Sequence, residues 1–318
     1  MADELVAGLY EAVVTDVLAA QLVRIDERLV KQPGMRSAEA ADRIAQLLAR
    51  QVERALDVVP EDERVATGIE VAQRLLEKLG AVLPKSASAI ETPLAPGKVL
   101  SAIGEWRPDG SVRTASRPLI PLLDTTLLTN APGEPTVGSQ VRTEIESSDS
   151  IDLVMAFIRT SGVSPMLAAL RDFTQRGRHL RVLTTVYTGS TESKALNQLV
   201  DLGADVRISY DLSTARLHAK AWLFHRHTAY STAYVGSSNL THSAQGPGIE
   251  WNVRVSAARN PDVLSKISAV FEGYWESGDF VPYVESEFRK AIERSGKPDL
   301  PILSPVEIEL KAVPGPLA

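Results

Sequence analysis

The chain has 318 residues, of which 44% are hydrophobic and 23% are charged, and its formal net charge is −6 at pH 7. Its length and hydrophobic content suffice for one large or two ordinary domains with a buried core. The acidic balance excludes a chain coated in positive charge but not a local basic cleft, and the absence of cysteine excludes a disulfide framework and a thiolate metal site.

The N-terminal residues do not predict a signal peptide. The N-terminal "MADELVAGLYEAVV" lacks the basic region and apolar core of a signal peptide. No run of about 20 apolar residues occurs, so no membrane span and no membrane partner are predicted. These features favour a cytoplasmic protein.

The first 118 residues are predicted to be a helical N-terminal region followed by a connector. Apolar residues recur at helical spacing in "ADRIAQLLARQVERAL" and in "GIEVAQRLLEKLG", where Gly80 is placed to end the helix. Residues 81–118 are rich in Pro, Gly and Ser, which predicts a connector with two short strands, "KVLSAIGEW" and "SVRTA", joined by the turn "RPDG".

From residue 119 the pattern changes to alternating strands and helices. After a strand region in "LIPLLDTTLLTN" and a helical "SQVRTEIESS", the apolar runs "IDLVMAFI", "HLRVLTTVY" and "ADVRISY" predict buried strands. They alternate with the helical "SPMLAALRDFTQRG", ended by Gly177, and "ESKALNQLVDLG". This order predicts an α/β fold with a parallel or mixed sheet flanked by helices.

The last third of the sequence adds three strands and a closing helix. The strands are predicted at 216–224, in "TAYVGSS" and in "EWNVRVS", and the helix in "NPDVLSKISAVFEGYWES". We therefore predict one α/β domain over 119–290 and an extended Pro-rich tail over 291–318.

Polar residues cluster at the ends of these three strands. Side chains alternate across a strand, so His218 and Lys220 share one face of 216–224. The next strand ends in "GSSNLT", which supplies Ser237 and Asn239, and the following strand begins at Glu250. We expect these residues to meet at one end of the sheet.

This group suits the cleavage of a phosphodiester. A fixed lysine supplies positive charge without a metal, while Asn239 and Ser237 can donate to the non-bridging oxygens. A histidine can act as nucleophile or proton donor near neutral pH, and a carboxylate at Glu250 can orient it. No metal-ligand spacing is visible, so neither a metal nor a cofactor is predicted.

The pattern H-x-K, then G-S-x-N, then a downstream Glu resembles the phospholipase D superfamily, with spacing closest to its nuclease branch. "LRVLTTVYTGSTESKAL", "LGADVRISYD", "RLHAKAWLF", "AYVGSSNLT" and "EWNVR" are together similar to the phospholipase D-like domain that precedes the motor of some large bacterial superfamily 2 helicases. The resemblance extends over roughly residues 119–285. It implies DNA as the substrate and a helicase motor in a partner or in a fused part of a longer chain.

The resemblance also implies a mechanism. One histidine attacks phosphorus to give a phosphohistidine, and a second histidine protonates the leaving oxygen. Each chain has a single H-x-K, because His179, His225, His227 and His242 are not followed two residues on by Lys. A complete site then needs two copies, which predicts a homodimer with a two-fold axis through the active site.

One position departs from the superfamily pattern. The usual Asp five residues after the Lys is His225 here. Metal-independent restriction endonucleases of the superfamily also lack that Asp and use a later Glu, so Glu250 takes the supporting role. The departure leaves a catalytically degenerate DNA- or helicase-binding module as the alternative. Phospholipid hydrolysis is disfavoured, because no Lys-rich amphipathic segment is present.

The remaining polar and aromatic residues have simpler interpretations. Trp222 and Trp251 are predicted to pack in the core and not to stack on bases. The other histidines after 220 are predicted to be solvated turn residues. A solvated helix end is predicted for four arginines, Arg171, Arg176, Arg178 and Arg181. The alternative is that they form a surface that binds DNA phosphates.

Overall fold

The computed structural model describes residues 5–82, 90–114, 117–211, 217–245 and 250–295. The chain divides into two units, Met1–Ser101 and Ala102–Ala318. Within the described ranges, every helix is too short or too polar to cross a membrane.

The first unit is helical, as its periodicity predicts. It contains α1 (Asp16–Leu22), α2 (Ser37–Asp57) and α3 (Glu61–Val82). Helix α3 opens with three acidic residues, which complement the positive end of its dipole. The prediction that Gly80 ends this helix is wrong, because α3 continues to Val82. None of the described side chains of this unit is fully buried.

The second unit combines strands and helices. Its strands are β1 (Glu105–Trp106), β2 (Val112–Arg113), β3 (Thr126–Leu128), β4 (Ser150–Met155), β5 (His179–Thr185), β6 (Asp205–Ser209), β7 (Lys220–His225), β8 (Thr232–Gly236), β9 (Asn252–Ser256) and β10 (Phe280–Pro282). Its helices are α4 (Val137–Ser147), α5 (Thr160–Val163), α6 (Leu167–Gln175), α7 (Ser193–Asp201), α8 (His242–Gln245), α9 (Pro261–Glu276) and α10 (Glu285–Ser295).

Eight of these strands form one mixed sheet in the order β10-β6-β5-β4-β7-β8-β9-β3. Strands β4, β5 and β6 are parallel and are connected through α6 and α7, while the remaining neighbours pair antiparallel. The predicted α/β fold with a mixed sheet is confirmed. Strands β1 and β2 form a separate two-stranded hairpin.

Several element bounds differ from the prediction. Strand β7 begins at Lys220, so residues 217–219 precede it, and 212–216 lie outside the described residues. The predicted strand region at 119–130 contains only β3. Strand β10 and helix α10 were not predicted, and α10 includes the first five residues of the predicted tail. The rest of that tail, 296–318, lies outside the described residues.

Both faces of the sheet are covered by apolar side chains. Trp222 and Phe224 point to the side of α4, α6 and α7, where they join a core with Phe173. Leu223 and Ala221 point to the opposite side, where α9 packs. Alternation along β7 therefore fills two cores, and each fully buried large side chain contributes about 1.5–3 kcal/mol. The prediction that Trp222 belongs to the core is confirmed.

A buried ion cluster joins α4 to the sheet. The Glu144 carboxylate accepts hydrogen bonds from Arg254 Nε (2.9 Å) and the Tyr234 hydroxyl (3.0 Å), and it pairs with Arg226. Burial alone would raise the pKa of Glu144, but the two guanidinium groups outweigh it and hold the pKa below its ordinary value. The cluster fixes α4 over β8 and β9.

Candidate functional site

Strands β7, β8 and β9 are neighbours, and they run antiparallel to one another. The start of β7, the end of β8 and the start of β9 therefore lie at the same end of the sheet. The end of β4 joins them, because Met155 pairs with Lys220. Strand order thus places the predicted site residues at one end of the sheet.

Lys220 is the first residue of β7 and is only 7% exposed. Its Nζ donates a hydrogen bond to the carbonyl oxygen of His218 (2.7 Å) and lies 3.2 Å from the imidazole Nδ1. The His218 side chain is exposed, and the Phe157 ring meets it edge-on with ring centroids 6.3 Å apart. An ammonium is therefore held beside an accessible imidazole.

Burial and a nearby carboxylate act on this lysine in opposite directions. Burial lowers the pKa of Lys220 below its ordinary value, because the charged form loses solvation, and the negative charge of Glu250 partly offsets this. Glu250 is therefore close enough to act electrostatically on the ammonium.

Ser237 connects β8 to the start of β9. Its Oγ donates to the Glu250 carboxylate and accepts from the Trp251 backbone N–H at 3.0 Å. Its own N–H donates to the Trp251 carbonyl oxygen at 3.0 Å. The preceding Gly236 permits this close approach, since a Cβ there would lie 2.1 Å from the Trp251 oxygen.

Asn239 is fixed against the end of β4. Its Oδ1 accepts from the Phe157 backbone N–H (3.2 Å), and the Leu240 N–H donates to the Phe157 carbonyl oxygen (3.1 Å). Ile158 and Leu240 continue this contact as a parallel bridge. Because the side-chain oxygen is engaged, the amide nitrogen of Asn239 is the group that can donate to a phosphate oxygen.

A small cavity of about 10 Å³ lies behind these residues. Its polar lining consists of Lys220, Ser238, Asn239 and Asn252. This volume holds about one water molecule, so the cavity is too small for a phosphate group. Asn252, whose Nδ2 donates to Ser238 Oγ at 2.7 Å, was not predicted, although alternation from Glu250 could have indicated its direction.

The orienting role predicted for Glu250 differs from the observed contact. Among the described residues, its hydrogen-bond partner is Ser237 and no bond to the His218 ring is present. The carboxylate instead acts electrostatically on Lys220 and contacts the Ser237 hydroxyl.

Two predictions about surrounding residues are wrong. Trp251 is 66% exposed and does not pack in the core. His225 is not a solvated turn residue, because it ends β7 and its Nε2 lies 2.7 Å from Asp152 Oδ2. His225 is at the opposite end of β7 from Lys220. His227 and His242 are exposed, as predicted, although His242 begins α8.

Three of the four arginines make contacts within the chain. Arg176 pairs with Asp172, Arg178 donates to the Ser148 carbonyl oxygen, and Arg181 pairs with Asp152 and Glu272; Arg171 is exposed. These contacts weaken the alternative of a DNA-phosphate surface.

Comparison with known proteins assigns the class of this domain. Residues 141–275 match the family described as "Cardiolipin synthase, PLD-like domain", a range that contains all five predicted site residues. The chain thus carries a phospholipase D-like domain, and the superfamily indicated by H-x-K and G-S-x-N is confirmed.

Several solved structures are similar to part of this chain. Nuc from Salmonella typhimurium, a phospholipase D family member, aligns with 50% of this chain and 97% of its own at 18% identity, with a TM-score of 0.39. NucT from Helicobacter pylori aligns with 50% of this chain and 99% of its own at 12% identity and a TM-score of 0.40. A phosphatidylserine synthase from Haemophilus influenzae aligns with 58% of this chain and 48% of its own at 10% identity and a TM-score of 0.37. Curated proteins give no match.

Proposed function

We propose that this chain is a phosphodiesterase that cleaves DNA in the cytoplasm through a covalent phosphohistidine, with its active site formed across a homodimer. The observation that carries the proposal is the buried Lys220 ammonium, 3.2 Å from the Nδ1 of an exposed His218. This pair offers a nucleophile beside a fixed positive charge, which takes the place of a metal cation. DNA restriction, phage defence or repair would be its biological setting.

The chemistry follows from these groups. His218 attacks phosphorus, the P–O bond to the leaving group breaks, and His218 of a second copy donates a proton to the departing oxygen. Water then attacks the phosphohistidine, gives its proton to the second imidazole and releases the first. Lys220 and the Asn239 amide stabilise the charge on the non-bridging oxygens, while Ser237 and Glu250 shape the edge of the phosphate site.

DNA cleavage in excess EDTA tests this proposal. The wild-type chain should nick plasmid DNA, and His218→Ala should abolish nicking, since it removes the nucleophile and the acid together. His227→Ala is the matched control, because this exposed histidine follows the far end of β7, and it should cut like the wild type. Denaturing gels of end-labelled DNA after an acid-free quench should show a covalent adduct that requires His218. A folded wild-type chain that never cuts in EDTA would contradict the proposal.

The second candidate is a DNA- or helicase-binding module without catalysis. It is favoured by one feature, the histidine at position 225 where the superfamily has an Asp. This candidate predicts salt-sensitive DNA binding that survives His218→Ala, together with no cleavage under any condition.

A further inference from the structure

The end of the sheet that holds the candidate site also carries two exposed side chains to which the proposed reaction gives no role. Arg159 follows β4, and Trp251 directly precedes β9. Strands β7 and β8, which carry the candidate histidine, lysine, serine and asparagine, lie between β4 and β9 in the sheet. The arginine and the tryptophan therefore lie on opposite sides of the candidate site.

The backbone of Trp251 is fixed, whereas its indole ring is open. Its N–H donates to Ser237 Oγ and its carbonyl oxygen accepts from the Ser237 N–H, both at 3.0 Å. The residue is 66% exposed, and none of the aromatic rings and guanidinium groups in the described ranges stacks on its indole. An open indole on a fixed backbone is suited to stack on another flat ring.

Strand register places this indole close to the candidate histidine and lysine. Val253 is aligned with Ala221 through the intervening strand β8. The same register, continued by two residues, brings Trp251 level with Ala219, which separates the histidine from the lysine in the sequence. The two levels are two strand spacings apart, about 10 Å. A sugar and its base can extend over such a distance from a phosphate bound at the site.

Arg159 supplies a positive charge on the other side of the site. Its N–H donates to the Leu240 carbonyl oxygen at 3.0 Å, which ties it to the segment that carries Asn239. Its side chain is exposed, and no hydrogen bond or ion pair with another described residue engages the guanidinium. The nearby Glu192 carboxylate bonds instead to the Thr160 N–H at 2.9 Å. A free guanidinium at this place is suited to bind a phosphate next to the cleaved one.

We propose that single-stranded DNA crosses this end of the sheet, with one phosphate bound by Arg159 and one base stacked on Trp251, an inference that rests on the proposed function. A cation that binds the backbone and an aromatic ring that stacks on a base are the two contacts by which proteins hold single strands. In a duplex each base is covered by its neighbours, so an indole can stack only on a base that has left the helix. The two side chains thus select single strands over duplexes.

Tryptophan fluorescence in the His218→Ala background tests the stacking, because this variant should not cut the DNA that it binds. The chain has four tryptophans, of which Trp222 and Trp275 are buried while Trp106 and Trp251 are exposed. A thymidine oligonucleotide of about 16 nucleotides should quench the fluorescence. Trp251→Phe should remove this quenching but keep the affinity, whereas Trp106→Phe should leave both unchanged.

Removal of the ring should weaken binding. In the same background Trp251→Leu should raise the Kd of the oligonucleotide about 10-fold, because the stacking on one base is lost, and Trp106→Leu is the matched control. In the active chain Trp251→Leu should raise KM about 10-fold and leave kcat unchanged, because the stacking is made equally in the ground state and the transition state. A duplex of the same length should bind more weakly and should not quench Trp251. Circular dichroism checks that each variant is folded.

The salt dependence of binding tests the arginine. Arg159→Gln should reduce the slope of log Kd against log salt concentration by about 0.7, the contribution of one phosphate of a single strand. Arg171→Gln, at an exposed arginine on α6, is the control and should keep the slope of its parent.

Binding and cleavage are measured separately, so the two proposals can fail separately. Quenching that requires Trp251 in a chain that never cuts would support the single-strand contacts and favour the second candidate function. Equal affinities of Trp251→Leu and its parent, or quenching that persists in Trp251→Phe, overturn the stacking, and cleavage in EDTA is then judged by its own assay. Equal binding of duplex and single strand, an unchanged salt slope in Arg159→Gln, or a folded chain that does not bind the oligonucleotide also overturns the inference.

Discussion

Lys220 is a residue whose burial costs stability and whose proposed role is chemical. Its ammonium is buried at the start of β7, and its hydrogen bonds go to the backbone and ring of His218. A buried cation pays a desolvation penalty that these contacts offset only in part. The lowered pKa of this lysine is the signature of that penalty.

Replacing this lysine with an apolar residue of similar length should therefore separate stability from activity. We expect Lys220→Met to lose cleavage by about 100-fold or more and to gain about 1 kcal/mol in the free energy of unfolding at pH 7. Because the folded-state pKa lies below the ordinary value of 10.5, the penalty is complete below the folded-state pKa and fades as the pH rises toward 10.5. Urea unfolding of both proteins from pH 7 to 10.5 should show the difference between them shrinking. A variant that is less stable than the wild type at pH 7 would refute this view of the lysine.

At this scale the sequence predicts where the candidate site residues lie better than it predicts the exposure of the residues around them. The identities and spacing of His218, Lys220 and Asn239 were sufficient to place them on adjoining strand ends. The exposure of Trp251 was not predictable, because it depends on where α9 stops covering the sheet, which periodicity along β9 does not encode.

The elements around Asp152 are joined by a network of charged groups. Asp152 on β4 is 2% exposed, and it accepts hydrogen bonds from Arg181 Nε on β5 (2.7 Å) and contacts His225 on β7 (2.7 Å). Arg181 also pairs with Glu272 on α9, and its guanidinium lies 4.8 Å from the Phe271 ring centroid. Three strands therefore meet at one carboxylate, and Arg181 links it to the covering helix.

Removing this carboxylate should loosen all four elements. Burial would raise the pKa of Asp152, but its bonds to His225 and Arg181 outweigh burial and lower the pKa. A lowered folded-state pKa contributes stability above the ordinary value of 3.8 that is lost as the pH falls through the folded-state pKa. We expect Asp152→Asn to lower the free energy of unfolding by about 3 kcal/mol at pH 7. The stability of this variant should also fall less steeply than that of the wild type as the pH is lowered.

Thermal unfolding from pH 7 to 3 measures both effects. Asp205→Asn, at an exposed carboxylate that begins β6, is the control and should follow the wild type. An Asp152→Asn variant with an unchanged acid limb would show that other groups set the acid sensitivity.

Long elements were predictable and short ones were not. The buried strands β4, β5 and β6 have continuous apolar runs, and the glycines after α6 and α7 adopt positive φ angles of 74° and 91° that mark helix ends. Strand β10 has three residues and is formed only because it pairs with β6. Gly80 was predicted to end α3, but a glycine inside a helix costs only about 1 kcal/mol. Helix α3 tolerates this cost and continues to Val82.

The two units of the molecule differ in how their cores are built. The second unit holds the buried residues of both clusters, whereas none of the described side chains of the first unit is fully buried. Cooperative unfolding requires a closed apolar core. Stability of the whole chain should therefore come mainly from the second unit.

A fragment of residues 102–318 should fold by itself. We expect it to keep one cooperative thermal transition and a native near-ultraviolet circular dichroism spectrum. A fragment of residues 1–101 should instead melt gradually. Loss of the near-ultraviolet signal in the larger fragment would show that the first unit is needed to complete its core.

Gly236 has a consequence for anyone who wishes to re-engineer this protein. Any side chain at this position collides with the main chain at Trp251 and Asn252. Replacing Gly236 would therefore separate Ser237 from Glu250, although the hydroxyl and the carboxylate themselves stay unchanged. Randomised libraries that aim at new specificity should hold this glycine constant and vary the neighbours that face outward. Redesign of the candidate site is thus limited by one residue that has no Cβ.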